Sequence, residues 1–343
     1  MNTETGKTAL ITGASSGIGQ EIAKLFAQDG YNLVLVARSD DTLNRLADVF
    51  RSNYGTQQIT VIGKDLSQEN AAQEVYDEVK NQGITVNYLV NDAGVSTYGM
   101  FATETDWEKE SALIHLNVIS LTHLTKLFLK DMVARNEGRV LNLSSLVAVV
   151  PFPLQTVYAA TKAYVYSFTL SMNNELKGTN VTMTALMPNA TDTDFFNKAG
   201  AADTVVTDEL QDPVMVAKDG YKAMMKGETK VVPGGIKNKV YEVMGYVAPP
   251  EMTGAMMRHK NTRKSEVEDS SSLAWGIGVA AGIAAGVAAL IIAYNNSNAY
   301  DRARYRYKAK SAGRSAKNAI AAVTDSLNGT YHDAKAKVEE ALA

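Results

Sequence analysis

The chain has 343 residues, none of them cysteine, and 34 Lys+Arg against 37 Asp+Glu give a formal net charge of −3. At 45% apolar, 21% charged and 8% aromatic it has the composition of a soluble enzyme with room for one large or two ordinary domains, which excludes a disordered, collagenous or disulfide-stapled chain. Lack of cysteine excludes a zinc ribbon, an iron–sulfur cluster or a thiol catalyst, and the near-neutral balance argues against a nucleic-acid partner.

Residues 1–8 hold no apolar h-region, so no signal peptide is expected and the front of the chain is expected to stay cytoplasmic. Short β-branched runs at 7–12, 32–37, 59–63, 87–91, 139–143, 182–187 and 230–232 read as strands, bounded by Gly, Asp, Asn or Pro. Amphipathic stretches at 18–28, 41–50, 71–79, 107–132 and 156–176 read as helices between them. Strand and helix alternating this often predicts an α/β domain over residues 1–250, a doubly wound parallel-sheet Rossmann fold with helices on both faces.

The first strand runs through KTALITGASSGIG into Gly13, Gly17 and Gly19 and then into a helix. Such a turn, here completed by Ser15, Ser16 and Ile18, makes a dinucleotide cradle. One glycine makes the tight turn, one lets backbone N–H groups approach a pyrophosphate, and one lets helix pack close to strand. The spacing G-x-x-x-G-x-G departs from the general G-x-G-x-x-G. Some 20 residues on, Arg38 follows the second strand where an acid would bind a ribose 2′-hydroxyl, so it favours NADP(H) over NAD(H). Asp65 and Leu66 end the third strand, and Asn91, Ala93 and Gly94 in NDAG end the fourth, all at the sheet edge where such folds bind ligands.

Tyr158 and Lys162 lie four apart on a predicted helix and so share a face. A phenol with a pKa of about 10 is a poor acid or base at neutral pH, and a nearby ammonium, helped by the positive charge of an oxidised nicotinamide, is expected to bring it toward the working range. Ser145 ends the preceding strand, where its hydroxyl can meet a substrate oxygen, and Asn117 in HLNVIS is placed to hold a relay water. The histidines have no ligand-like spacing, and no metal is expected.

TGASSGIG at 12–19, NDAG at 91–94, Asn117, Ser145 and Tyr158-Ala-Ala-Thr-Lys162 resemble, in order and spacing, the short-chain dehydrogenase/reductase family over about residues 5–250. The resemblance implies an oxidoreductase moving hydride between a nicotinamide and a carbonyl or secondary alcohol. Tyr158 would be the general acid/base, Lys162 would tune it and hold the nicotinamide ribose, Ser145 would position the carbonyl, and Asn117 would support the relay. Residues 12–19 and Arg38 would hold pyrophosphate and 2′-phosphate, Asp65 the adenine, and residues 91–94 the pocket floor. Thr193, after Pro188 and Asn189, matches the family threonine that contacts the cofactor. Asp92 stands where the family usually has a second Asn, and Asn189 where it has Gly, a position at which Asn is expected to tolerate positive φ.

Substrate choice is expected from 147–154 and 193–212, whose Phe152, Phe195 and Phe196 suit a lipophilic carbonyl or alcohol. Residues 251–272 read as a polar linker. Residues 273–294, LAWGIGVAAGIAAGVAALIIAY, are uncharged and long enough to span a membrane or lie in it, with Gly278, Gly282 and Gly286 on one face. Residues 295–343 form a tail in which 302–317 carries seven basic residues and no acid. The catalytic domain is thus expected to be a cytoplasmic homo-oligomer, anchored through 273–294. A competing reading is a membrane-tethered nucleotide sensor or scaffold, and a third is a sugar-nucleotide epimerase. The intact Asn117, Ser145, Tyr158 and Lys162 set opposes the former; the glycine spacing and short substrate segment oppose the latter.

Overall fold

The computed structural model describes residues 6–56 and 58–267. The expected apolar span at 273–294 and the basic tail lie outside the described residues. Seven strands, β1 (Thr8–Thr12), β2 (Asn32–Ala37), β3 (Ile59–Gly63), β4 (Val86–Asn91), β5 (Gly138–Leu143), β6 (Val181–Leu186) and β7 (Lys230–Val231), form one parallel sheet in the order β3-β2-β1-β4-β5-β6-β7. The strand order reverses between β1 and β4, which opens a crevice at their carboxyl ends.

Helices α1 (Gly17–Gln28), α2 (Asp40–Tyr54), α3 (Ala71–Asn81), α4 (Trp107–Ile114), α5 (Leu121–Ala134) and α6 (Thr156–Glu175) occupy the intervals predicted for them. The sheet is buried on both faces because its strands are nearly continuous in Val, Leu and Ile. One core packs Ile22 and Phe26 of α1 with Leu35, Val216 and Met224; the other packs Val75, Val79, Leu124, Phe128 and Met132 on the opposite face.

The helix expected over 107–132 is broken in hydrogen-bond pattern. A π-helical stretch, His115–Ser120, separates α4 from α5. Trp107–Ala134 is, among the described residues, the one helix long and apolar enough to cross a membrane, yet Leu113, Leu124, Phe128 and Met132 are core residues, which explains its composition.

Later elements are α7 (Phe195–Ala199), α8 (Pro213–Lys226), α9 (Gly235–Val247) and α10 (Pro250–Lys260). Asp212 caps α8 through Val214 N, Pro213 opens it, and Gly227 closes it at φ 68°. The stretch read as linker from 251 is instead helical to Lys260. Pro250 starts it, Glu251 lies in its first turn, and Arg258, His259 and Lys260 in its last, so the charges complement the helix dipole. By compactness the described residues divide elsewhere than at 250: residues up to 234 with 257–265 form one unit, and 235–256 belong to another. The functional residues lie in the first.

Candidate active site

The glycine-rich turn sits at the β1–α1 junction. Gly13 and Gly17 adopt φ of 71° and 58°, which side chains rarely allow. A Cβ at Gly13 would lie 2.8 Å from Asp92 Oδ2 and 2.9 Å from Ala93 N, and one at Gly19 would collide with the same carboxylate oxygen. At Gly17 it would lie 3.0 Å from Thr193 Cγ2. These glycines therefore let the turn fold down onto the end of β4 and let the Thr193 loop close on it. Thr12 clips the two strands together, its Oγ1 accepting from Asp92 N at 3.1 Å and Ala93 N at 3.2 Å.

Ser16, the N-cap of α1, makes no side-chain capping bond, so the first-turn N–H groups other than that of Gly19, which Asp92 takes, stay available to an anion. With Ser15 and Ile18 in the same turn, this is a fit for the diphosphate of a dinucleotide. Arg38 projects into solvent past β2, and its charge reaches Asp65. Burial pushes the Asp65 carboxyl up, but hydrogen bonds from Ser67 N (3.0 Å), Ser67 Oγ (2.8 Å) and Gln68, with Arg38 adding its charge, hold it below its ordinary value. Asp40, which the sequence reading passed over, lays its carboxylate against Gly63, where no Cβ would fit. Leu66 is a core residue whose carbonyl accepts the Ser120 hydroxyl, so what it offers a ligand is backbone.

The chemistry lies across the crevice. The phenol of Tyr158 is hydrogen-bonded to Ser145, whose Oγ also accepts from Val147 N at 3.3 Å and donates to Pro188 O at 3.3 Å. Lys162 is buried, its Nζ 5.6 Å from the Tyr158 ring centroid and donating to Leu143 O at 2.7 Å. A Cβ at Gly94 would lie 3.5 Å from that Nζ and 3.2 Å from Asn117 Oδ1. Asn117 sits in the π-helical stretch with its side chain fully used: Oδ1 accepts from Val95 N at 3.0 Å, and Nδ2 donates to Val95 O at 3.0 Å and Thr161 Oγ1 at 3.1 Å. It clamps the loop after β4. Asn91 points into the sheet, donating to Thr125 Oγ1 and to Asn142 Oδ1, which in turn leads to Thr169.

The substrate side closes through distant segments. The loop after β6 is pinned at its base where Asp192 N meets Gln211 O and Gln211 N meets Ala190 O, both at 2.8 Å. Asn189 N donates to Gln211 Oε1 at 2.9 Å. Within that loop Phe195 places its ring 5.3 Å from Tyr158, with Phe196 5.6 Å beyond. Residues 257–265 strap over the same side. Asn261 Nδ2 donates to Pro153 O at 2.8 Å, the Tyr98 hydroxyl to Asn261 O at 2.9 Å, and Arg263 lies 5.0 Å from the Tyr98 ring while pairing with Thr204.

A family profile described as short chain dehydrogenase matches residues 7–204. The chain belongs to the short-chain dehydrogenase family. It is 32% identical over 237 residues to a short chain dehydrogenase of Pseudocercospora fijiensis, covering 67% of this chain and 74% of that one. It is 33% identical over 189 residues to the very-long-chain 3-oxoacyl-CoA reductase of Mus musculus, covering 53% of this chain and 59% of that relative's length. A solved short-chain dehydrogenase from Sphingobium yanoikuyae in complex with NADPH shares 28% identity and a TM-score of 0.63, over 77% of this chain and 99% of that one.

As a short-chain dehydrogenase the chain is an oxidoreductase acting on CH–OH or C=O groups, with a nicotinamide-binding Rossmann fold. One expectation for this member needs correcting. Asn189 does not need the left-handed region: its φ is not positive, and Gln211 holds the turn instead. Without a nicotinamide charge beside it, the Tyr158 phenol lies above its ordinary value. Burial pushes it up and the charge of Asp92 adds to this, outweighing the bond from Ser145. Lys162 gives one of its three N–H groups to Leu143 O, and its own pKa is lowered by burial to about 8 even though Asp92 opposes this. The residues that sequence reasoning missed, Asp40, Gln211 and Asn261, act through backbone contacts for which a sequence motif carries no signal.

Proposed function

We propose that this enzyme catalyses the reversible, NADP(H)-dependent reduction of a lipophilic ketone, with Tyr158 as general acid/base. The observation that carries this is the Ser145–Tyr158–Lys162 cluster lying across the crevice from an uncapped, glycine-lined helix start. A nicotinamide, when bound, supplies or accepts the hydride at the carbonyl carbon.

The chain's own groups do the rest. Ser145 hydrogen-bonds the carbonyl oxygen and fixes it beside the phenol. Tyr158, held protonated in its buried setting, donates to that oxygen as charge develops there. Lys162, reaching from α6, lies beneath the phenol and binds ribose hydroxyls. Since the Asn117 side chain is occupied, the relay function falls to the main chain of its π-helical stretch, whose carbonyls are displaced from regular α-helical bonding.

Thr193, against Gly17, and the turn 13–19 hold the diphosphate; Asp65 and Asn91–Gly94 frame the adenine and nicotinamide sides. Arg38 is the anchor for a 2′-phosphate, which is the ground for preferring NADP(H). Phe195 and Phe196 beside Tyr158 offer apolar surface to the substrate, and the kinship with a very-long-chain 3-oxoacyl-CoA reductase supports a long or bulky apolar group. An apolar pocket of 340 Å³ lined by Phe101, Ile114, Val118 and Val157 supports self-association of the α4–α6 face. Residues 273–294 would bring the domain to a membrane.

NADPH oxidation against a panel of short, long-chain and bulky ketones tests this reading. Wild type should turn over the apolar ketones, and Tyr158→Phe should lose about 10²–10⁴-fold in kcat with cofactor binding retained. Unchanged turnover in Tyr158→Phe, or activity confined to sugars, would overturn it.

A further inference from the structure

Asp92, in the 91–94 stretch that floors the pocket, is among the described residues the acid lying between the glycine-rich turn and the Tyr158–Lys162 pair, and its side chain takes no part in the hydride or proton transfer. Its Oδ2 lies beneath the turn, at the point where a Cβ on Gly13 or Gly19 would intrude, and the carboxylate accepts the Gly19 N–H. Its Oδ1 is buried with no hydrogen-bond partner among the described residues. The backbone of Asp92 is pinned by Thr12 Oγ1. The groups that face it are the Gly19 amide from α1, and Lys162 and Tyr158 from α6, both of which feel its charge.

A dinucleotide held at this turn would bring a second anion close to Asp92, which already takes the Gly19 N–H. The Asp92 carboxyl is buried, so the repulsion between the two would be weakly screened. Burial already brings the carboxyl to about 7 in the ligand-free protein, against an ordinary value of 3.8. A modest added repulsion is enough to protonate it.

We propose that Asp92 is a positioning residue that takes up a proton when the anionic dinucleotide docks, and thereby removes a negative charge from beside Tyr158 and Lys162. The inference rests on the dinucleotide reading of the turn. The proton comes from solvent and stays on the carboxyl; no bond to the cofactor forms. Its consequence for the site is directional. With Asp92 neutral, the phenol of Tyr158 loses one of the two influences that push it up, and Lys162 loses the one influence that holds its charge against burial. Docking thus lowers both groups: the phenol becomes a stronger acid and Lys162 gives up its charge more readily.

Infrared difference spectra, NADPH-bound minus free, recorded at about pH 8 where the free carboxyl is mostly ionised, test this. NADPH fluorescence in the same samples reports binding. A carboxylic-acid carbonyl band, shifting in heavy water, should appear on binding in wild type. It should be lost in Asp92→Asn and kept in Glu110→Gln, which removes the other buried carboxyl with an unpartnered oxygen on the loop side of the crevice. NADPH binding with no acid band in wild type, or with the same band in Asp92→Asn, overturns the inference alone. Absence of NADPH binding to wild type overturns the reading of the turn and this inference with it. Should Asp92→Asn fail to fold, the wild-type and Glu110→Gln spectra still decide: no band in either is a refutation.

Discussion

The nucleotide side of the crevice is closed by backbone packed in close contact, the substrate side by ties between segments far apart in sequence, several of them single side-chain bonds. At the first, two positive-φ glycines and a third with no room for a Cβ bring the turn onto β4 within a single strand–turn–helix unit. At the second, Asn261 reaches Pro153 across 108 positions and Tyr98 reaches Asn261 across 163. The difference predicts how each fails. A wall made of backbone in close contact has no slack, so one added methyl group disrupts it; a wall tied by single side-chain bonds loosens by one bond at a time.

Asp92 lies where the two sides meet, and the largest effect is expected there. Its carboxyl titrates at about 7 in the folded protein against 3.8 ordinarily, so between those values the folded state holds a proton that the unfolded chain has lost. The group's contribution is full below the lower value, declines as pH rises, and is gone above the upper one. Asp92→Asn carries no such cost. Urea melts should show it equal to wild type near pH 4 and more stable above pH 7, by about 4 kcal/mol at most. A stability difference that does not change with pH would mean that the buried carboxyl is not the source.

Gly19→Ala is the direct attack on the backbone-built side. The new methyl meets Asp92 Oδ2 and lies 2.7 Å from Gly13 O. Overpacking of this kind costs about 1–3 kcal/mol, and each kcal/mol lowers the melting temperature by about 2–4 °C in a domain of this size. Dinucleotide binding should fall with it, because the same shift moves the α1 amides. A variant that melts like wild type and binds NADPH normally would show that the turn has slack after all.

Asn261→Ala is the matching attack on the other side. It leaves Pro153 O without its donor, a loss of about 1–3 kcal/mol. Since Pro153 lies in the stretch following Ser145, KM for bulky ketones should rise while the Kd for NADPH holds. Equal changes in both would remove the strap from the substrate side.

The same contrast explains what the sequence disclosed. The seven strands and first six helices follow from hydrophobic period and from punctuation by Gly, Asp and Pro, all local. Tyr158 and Lys162 at a four-residue spacing, and the glycines at 13, 17 and 19, carry their geometry in their spacing. Asn261 looks like any polar residue in a charged stretch, and nothing nearby in sequence says that its partner is Pro153. Residues 251–260 looked like linker because their helix lacks a strong apolar stripe and is instead stabilised by Pro250 and dipole-matched charges. Asn117 and Asn91 were legible as important, but their side-chain partners Val95 and Asn142 were not, since those bonds depend on the strand register and the π-helical stretch.

Arg38 gives the smallest expected effect and the finest test of the nucleotide side. It is exposed, so its attraction for a 2′-phosphate is screened by solvent and salt and bounded accordingly. Arg38→Ala should weaken NADPH binding about tenfold, about 1.4 kcal/mol, and leave NADH nearly unchanged, as read by fluorescence titration of both cofactors. The gap between the two should narrow as ionic strength rises, because the lost interaction is between exposed charges. A gap insensitive to salt would mean that the arginine acts by shaping the β2–α2 turn, where Asp40 packs on Gly63, and not by charge. Equal weakening of NADPH and NADH would take Arg38 away from the 2′-phosphate altogether and leave the glycine-lined turn as the whole of the nucleotide anchor.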